Sequence, residues 1–242
     1  MEKYNKIKKA TDEMAQQCEK LSFSKPVTHV YNPLVYARRS HMEYLKKYAN
    51  NKKEVLFLGM NPGPWGMAQT GIPFGEINAV KNWMNINCEV GKPPKEHPKR
   101  IVKGFDCHRS EVSGKRLWGF FSTMGTSNDF FEKHFVMNYC PLLFINGQDD
   151  KCSNVTPDKL KNNEKNELIS VCDQFLKRTV EILEPKYLIG VGGFAKKRFL
   201  DLFDENKYHI HSISHPSPAN PKSNKGYDSL VKKELDVILS DN

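Results

Sequence analysis

The sequence has no apolar run long enough to cross a bilayer as a helix. Its charged start, MEKYNKIKKATDEMAQQCEK, contains no apolar stretch of the kind a signal peptide needs. It has no internal repeat, no low-complexity tract and no Gly/Ser/Pro-rich linker between halves. The six cysteines, Cys18, Cys88, Cys107, Cys140, Cys152 and Cys172, form no CxxC pair and follow no regular spacing. That excludes the zinc-finger and iron–sulfur patterns and leaves no metal or other cofactor expected. Scattered cysteines without a leader predict a soluble protein of a reducing, intracellular compartment. Acidic residues are in the minority: 28 Asp and Glu stand against 37 Lys and Arg, a net charge of +9. A chain so charged suits a polyanion, nucleic acid first and an acidic membrane surface second, although a merely basic soluble protein has the same balance.

What is present is globular. Of the 242 residues, 38% are hydrophobic and 11% aromatic, enough for a packed core. Residues 1–25 read as an N-terminal helical extension, and 26–242 as a single domain. Four apolar runs predict strands: Val55–Leu58, His134–Ile145, Lys186–Val191 and Tyr208–Ile213. Between and after them, helical spacing predicts helices over Ile77–Ile86, Val112–Met124, Phe194–Leu202 and Tyr227–Leu239. A further helix, opened by Thr156-Pro157-Asp158 as cap and first turn, runs to Leu183 ahead of Pro185. Strands alternating with helices predict an α/β fold, a three-layer α/β/α sandwich around a central, mostly parallel four-stranded sheet. In such sheets the ligand sits at the carboxyl ends of the strands.

Three polar residues stand at or near those ends. Asn61 follows the first strand in the stiff loop Gly59-Met60-Asn61-Pro62-Gly63-Pro64. Asn138 interrupts the second apolar run, and His215 follows the fourth strand. An amide takes no proton near neutral pH, so Asn61 suits a reaction in which a water needs placing more than activating. Loss of a good leaving group from a sugar carbon is such a reaction, because the oxocarbenium-like centre is strongly electrophilic. His215 can donate a hydrogen bond to an anionic leaving group. Asn138 offers one donor and one acceptor, the pair that matches O4 and N3–H of uracil; cytosine presents the reverse. Phe74, among glycines and prolines, can stack on a base. Each also has a plain structural reading: a loop cap, a strand-end amide, a core ring, a structural histidine. His209, His211 and His215 share strand parity, but no carboxylate or cysteine cluster supports a metal site. The basic loop Gly91–Lys103 fits a phosphate contact and a solvated surface equally.

The stretches GMNPGPWGMAQTGIPFG and HPSPANPKSNKGY closely resemble the single-strand-selective monofunctional uracil-DNA glycosylases. HPKRIVKGFDCHRSEVSGKRLWGFF and FVMNYCPLLF resemble that family too, and the likeness covers roughly residues 30–239. It implies a monomeric DNA base-excision repair enzyme of the nucleus. The enzyme would hydrolyse the N-glycosidic bond of uracil and C5-oxidised uracils such as 5-hydroxymethyluracil in single- and double-stranded DNA, with no covalent intermediate and no lyase step. It implies that Asn61 positions the water and His215 stabilises the departing uracil. Asn138 would read the base edge, Phe74 would stack, and Met60, Gly63 and Met67 would line the pocket near C5. DNA contacts are implied for Lys151 and Asn154 in one loop and for Pro218, Ala219, Asn220, Lys222 and Lys225 in another, the loop that fills the gap left by a flipped base. The family commonly carries arginine where this chain has Ala219, which predicts a stronger preference for single strands. Two alternatives stay open on sequence. One is a mismatch-specific uracil/thymine glycosylase, which usually has asparagine in place of His215. The other is a damaged-DNA sensor without activity.

Overall fold

The computed structural model describes residues 1–147 and 152–240. Two sheets form. Strands β1 (His29–Tyr31), β4 (Leu143–Asn146) and β5 (Ser153–Val155) make a small antiparallel sheet in the order β1-β4-β5. Strands β2 (Val55–Gly59), β3 (His134–Asn138), β6 (Tyr187–Val191) and β7 (His209–Ile213) make a wholly parallel sheet in the order β3-β2-β6-β7. Helices α1 (Glu2–Glu19), α2 (Pro33–Tyr36), α3 (Arg38–Tyr48), α4 (Met67–Thr70), α5 (Val112–Ser122), α6 (Ser127–Lys133), α7 (Asn162–Leu183), α8 (Gly193–Leu202) and α9 (Tyr227–Ser240) pack around it. The expected α/β sandwich with a four-stranded parallel sheet is the observed one.

The physical reasons are local. Every residue of the adjacent inner strands β2 and β6 is buried, as strands covered on both faces must be. Edge strand β7 leaves His209 exposed. Helix α7 buries Leu168, Cys172, Leu176, Thr179, Val180 and Leu183, a stripe at helical spacing. Helix α1 packs against α7, and its Ile7, Met14 and Cys18 join the principal core, so residues 1–25 contribute to the same hydrophobic interior as the body. No described helix is long and apolar enough to cross a membrane.

Three local expectations are corrected. The apolar run His134–Ile145 is two strands, β3 and β4, in different sheets. Pro141 has no N–H to donate to a ladder, so the chain leaves the parallel sheet at Tyr139–Leu142. Thr156 does not cap α7: a 3-10 turn over Pro157–Lys159 intervenes, and α7 starts at Asn162. The helix expected over Ile77–Ile86 starts at Ile77 but ends early: it passes at once into a π-type turn, Ala79–Trp83, with the Glu76 carboxylate accepting from the Ala79 N–H at 3.0 Å.

Buried and half-buried polar groups brace this frame. Tyr139, directly after Asn138, donates its hydroxyl to Asp173 on α7 at 2.6 Å. Arg198 of α8 grips both oxygens of the same carboxylate at 2.7 Å and lies over the Tyr139 ring. His41, on α3, donates from Nδ1 to the Gly71 carbonyl at 2.7 Å, and its burial pulls the imidazole down to about 4. The neutral form is therefore the folded form. Stability from this group is complete above the unfolded value of about 6.5 and is lost as pH falls from there toward 4, by roughly 3 kcal/mol in all. Urea unfolding at neutral pH and near pH 4.5 checks this: His41→Gln is expected to lose much of the acid-side slope that the wild-type chain shows.

Candidate active site

The strand order doubles back at β2. The chain passes from β2 outward to β3, then returns to β6 on the other side and continues outward to β7. Connections from β2 and β6 thus leave in opposite directions, which opens a crevice at their carboxyl ends. A cleft of about 310 Å³ lies among the loops there. Met60, Asn61, Gly63, Phe74, Asn138 and His215 all line it. Residues far apart in sequence therefore meet where the sequence pattern places a ligand.

Register sets the first of them. Gly59 of β2 pairs with Asn138 of β3, and the ladder continues past both strands: Tyr139 N–H donates to Gly59 O and Cys140 N–H to Met60 O, each at 2.9 Å. A Cβ at Gly59 would collide with Asn138 Oδ1 and with the ring of Phe74. Glycine is needed there for the amide and the ring to come together over the strand end. The break at Pro141 places Leu142 so that its carbonyl accepts from Asn61 Nδ2 at 3.3 Å. That bond fixes which end of the Asn61 amide remains to face a ligand.

Phe74 holds a left-handed backbone, φ 52°, unusual for a bulky residue. Its carbonyl accepts from Trp118 Nε1 at 3.0 Å and from the Glu76 N–H at 2.6 Å. Gly114 of α5 meets the same carbonyl so closely that no Cβ fits between them. The surrounding contacts thus over-determine a strained residue, which keeps its ring beside the cleft. The rings of Phe74 and His215 stand 6.4 Å apart, tilted by 52°.

His215 is fixed from both sides. Glu234 of α9 accepts from the N–H and hydroxyl of Ser214, each at 2.7 Å, and Arg116 of α5 donates to the Pro216 carbonyl at 3.0 Å. His215 Nδ1 accepts from the Ser217 N–H at 3.1 Å. The ring proton of the neutral form therefore sits on Nε2. Burial lowers the imidazole from its ordinary value, so the neutral form is favoured.

The remaining expected contacts fall into groups. Asn138 donates from Nδ2 to Met67 Sδ at 3.3 Å. Met67 itself is buried behind Asn138, away from the cleft, and bears on a ligand through that amide. Asn154 lines the cleft rim. Lys151 lies outside the described residues. Pro218, Ala219, Lys222 and Lys225 are exposed along the loop after β7. Asn220 is half-buried, and its amide is spent inside that loop on His215 O and Ser223 Oγ, each at 3.0 Å. Ser223 donates to the same His215 carbonyl at 2.7 Å. The loop is thereby tied to the histidine it follows.

Sequence reasoning missed Glu111, Ser113, Thr156 and Ser217, which also line the cleft. Glu111 stands just before α5, and its carboxyl lies against Gly63 and Gly66, where any Cβ would collide with it. Burial and the neighbouring Glu76 push that carboxyl up to about 7. The available signal was its place inside a recognised stretch, SEVSG, and nothing in the spacing marked it further. Beside the cleft, a second, open one of about 520 Å³ is lined by Trp65, Lys99, Arg100, Lys103, His108 and Arg109. Arg109 lies over the Trp65 ring, 4.5 Å from its centre. The loop whose charge fitted either a phosphate contact or a solvated surface thus gathers its cations around an aromatic. Among the described residues no group of three or more His, Cys, Asp or Glu could hold a metal ion.

Comparison with known proteins identifies the family. The model of the uracil DNA glycosylase superfamily matches residues 46–236. The single-strand selective monofunctional uracil-DNA glycosylase of Rattus norvegicus is 44% identical over 227 residues, covering 92% of this chain and 80% of the relative. The Mus musculus protein of the same name is 43% identical over the same coverage. Among solved structures, wild-type SMUG2 of Pedobacter heparinus superposes with a TM-score of 0.67 at 18% identity, covering 96% of this chain and 97% of that one, a likeness of fold.

Proposed function

The chain belongs to the uracil DNA glycosylase superfamily and is a uracil-DNA glycosylase, a hydrolase of N-glycosyl bonds; we propose that it excises uracil and C5-oxidised uracils such as 5-hydroxymethyluracil, acting on single strands first and on duplexes more slowly. The observation that carries this reading is the meeting of Asn61, Phe74, Asn138 and His215 in one cleft at the strand ends. A flipped uracil stacks on Phe74 and offers O4 and N3–H to Asn138. Asn61 holds a water for C1′, and His215 Nε2–H donates to O2 as negative charge grows on the leaving base. The nucleophile is water, so no lysine is required to form a covalent intermediate and no lyase step follows. Around C5 the wall is Met60 and Gly63. A polar C5 substituent can replace the hydrogen bonds of an ordered water there, whereas the methyl of thymine cannot.

Preference for single strands rests on the loop after β7. Its exposed Ala219 is too small to fill the space a flipped base vacates, and flipping costs less where there is no partner strand to unpair. The basic cleft around Trp65 suits the flanking strand, with phosphates on its cations. The same reading takes it to act as a monomer and in the nucleus.

Alkali cleavage of oligonucleotides carrying uracil or 5-hydroxymethyluracil, single-stranded and paired, tests the reading. Alkali-labile sites are expected first in single strands, and absence of cleavage at uracil in either form would refute it. Ala219→Arg is expected to raise duplex excision severalfold and to leave single-strand rates nearly unchanged. No gain on duplex would remove the wedge argument. The mismatch-specific alternative is disfavoured by a histidine, rather than an asparagine, in the leaving-group position, and the sensor alternative by the intact pair Asn61 and His215.

A further inference from the structure

The cleft contains a group for which the roles above leave no use. Among its described lining residues Glu111 is the only carboxylic acid and His215 the only histidine, and no lysine or arginine is among them. His215 cannot serve as a base while its Nδ1 accepts from Ser217 and its Nε2–H points a proton at the leaving group. Asn61 holds water but takes no proton. Glu111 is the remaining candidate. Its carboxyl rests on the backbone of Gly63 and Gly66, the former two residues after Asn61. Its Oε2 is sealed from solvent and has no hydrogen-bond partner, and although Glu111 precedes the first residue of α5, its side chain makes no capping bond to that helix. Buried polar groups normally find partners, so an unpaired carboxyl at a cleft wall asks for a ligand or a proton.

We infer that Glu111 is the proton acceptor for the water that Asn61 positions. The inference rests on the glycosylase reading. As the C1′–N1 bond breaks, its electron pair leaves with the base, and O2 of the resulting uracil anion is met by His215. The water oxygen bonds to C1′ and gives one proton to the Glu111 carboxylate. Glu111 then returns that proton to the departing base or to solvent, and the balance closes with free base and a sugar hydroxyl. Glu76, whose own oxygens are held by Ser110 and the Ala79 N–H, faces Glu111 with like charge and raises its affinity for a proton; neutral His215 adds no charge across the cleft. An acceptor held near 7 matches neutral working pH better than an ordinary glutamate.

Single-turnover release of uracil from a single-stranded oligonucleotide, measured across about pH 5 to 9, tests this. The wild-type rate should climb roughly tenfold per pH unit up to about 7 and then level off. Glu111→Gln should be about a hundredfold slower at pH 8 and should lack that acid limb. Formate should accelerate Glu111→Ala by supplying a carboxylate, and should leave Asn61→Ala unchanged. A Gln variant within about threefold of wild type, or a slow one that keeps the acid limb, overturns the inference. Should the Gln variant not fold, a wild-type rate that is flat between about pH 5.5 and 8 overturns it, as does failure of formate to act on the Ala variant. Wild-type protein that releases no uracil at any pH would instead sink the glycosylase reading.

Discussion

Asn61→Ala is expected to slow uracil excision about a hundredfold or more while leaving affinity for uracil-containing DNA nearly intact. The amide is not free to turn: its Nδ2 is tied to the Leu142 carbonyl, and Leu142 is placed by the break that Pro141 makes in the apolar run. Oδ1 is thus the end left to accept from a water, and alanine offers neither end. Holding a nucleophile in line accounts for a large share of catalysis, and losses of about a hundredfold follow from misplacement alone. The proposed reading assigns DNA affinity to surfaces that the substitution leaves untouched, the basic cleft around Trp65 and the loop after β7. Single-turnover rates with enzyme in excess, beside fluorescence anisotropy on the same oligonucleotide, separate the two. Unchanged turnover would remove Asn61 from the mechanism.

His215→Ala is expected to cost about a hundredfold to a thousandfold, the usual loss when one donor to a developing anion is removed. The proton it offers is on Nε2 because Nδ1 accepts from Ser217, and burial keeps the ring neutral as pH falls below the ordinary histidine range. A neutral donor adds no acid limb of its own near neutrality, so the pH dependence of excision belongs to another group. The leaving group supplies the sharper check. 5-Fluorouracil carries negative charge more easily than uracil and depends less on a donor at O2. The variant should therefore lose distinctly less on a 5-fluorouracil substrate. An equal loss on both bases would mean that His215 holds the loop and does not assist departure.

The parallel sheet was legible because its inner strands are covered on both faces and so appear as unbroken apolar runs. The polar residue at the end of β3 was legible because that edge strand is also an apolar run, and Asn138 is conspicuous only inside it. The small antiparallel sheet was hidden. Two of its strands have three residues each, too short for a periodic signal, and the third is fused in sequence to β3 across Tyr139–Leu142. Thr156 misled because threonine, proline and aspartate suit a 3-10 turn as well as the start of an α-helix, and in the fold Thr156 faces the cleft. Met67, expected to line the pocket, instead lies behind the Asn138 amide, a matter of which side of Asn138 a helical turn lands on. Glu111 was invisible because its meaning depends on Gly63 and Gly66, distant glycines whose missing side chains make room for its carboxyl.

The brace behind Asn138 bears on how steadily that amide is presented to the cleft. Asn138 Nδ2 is held by a thioether, a weak acceptor, so side-chain contacts alone do little to stop the amide from turning over. A turned amide matches cytosine, a normal base present in great excess over uracil. What keeps the peptide frame still is the next residue, Tyr139, locked by Asp173 and Arg198 from two helices outside the cleft. Loosening that ion pair is expected to free the backbone at the end of β3, and Asn138 with it, although neither Asp173 nor Arg198 lines the cleft.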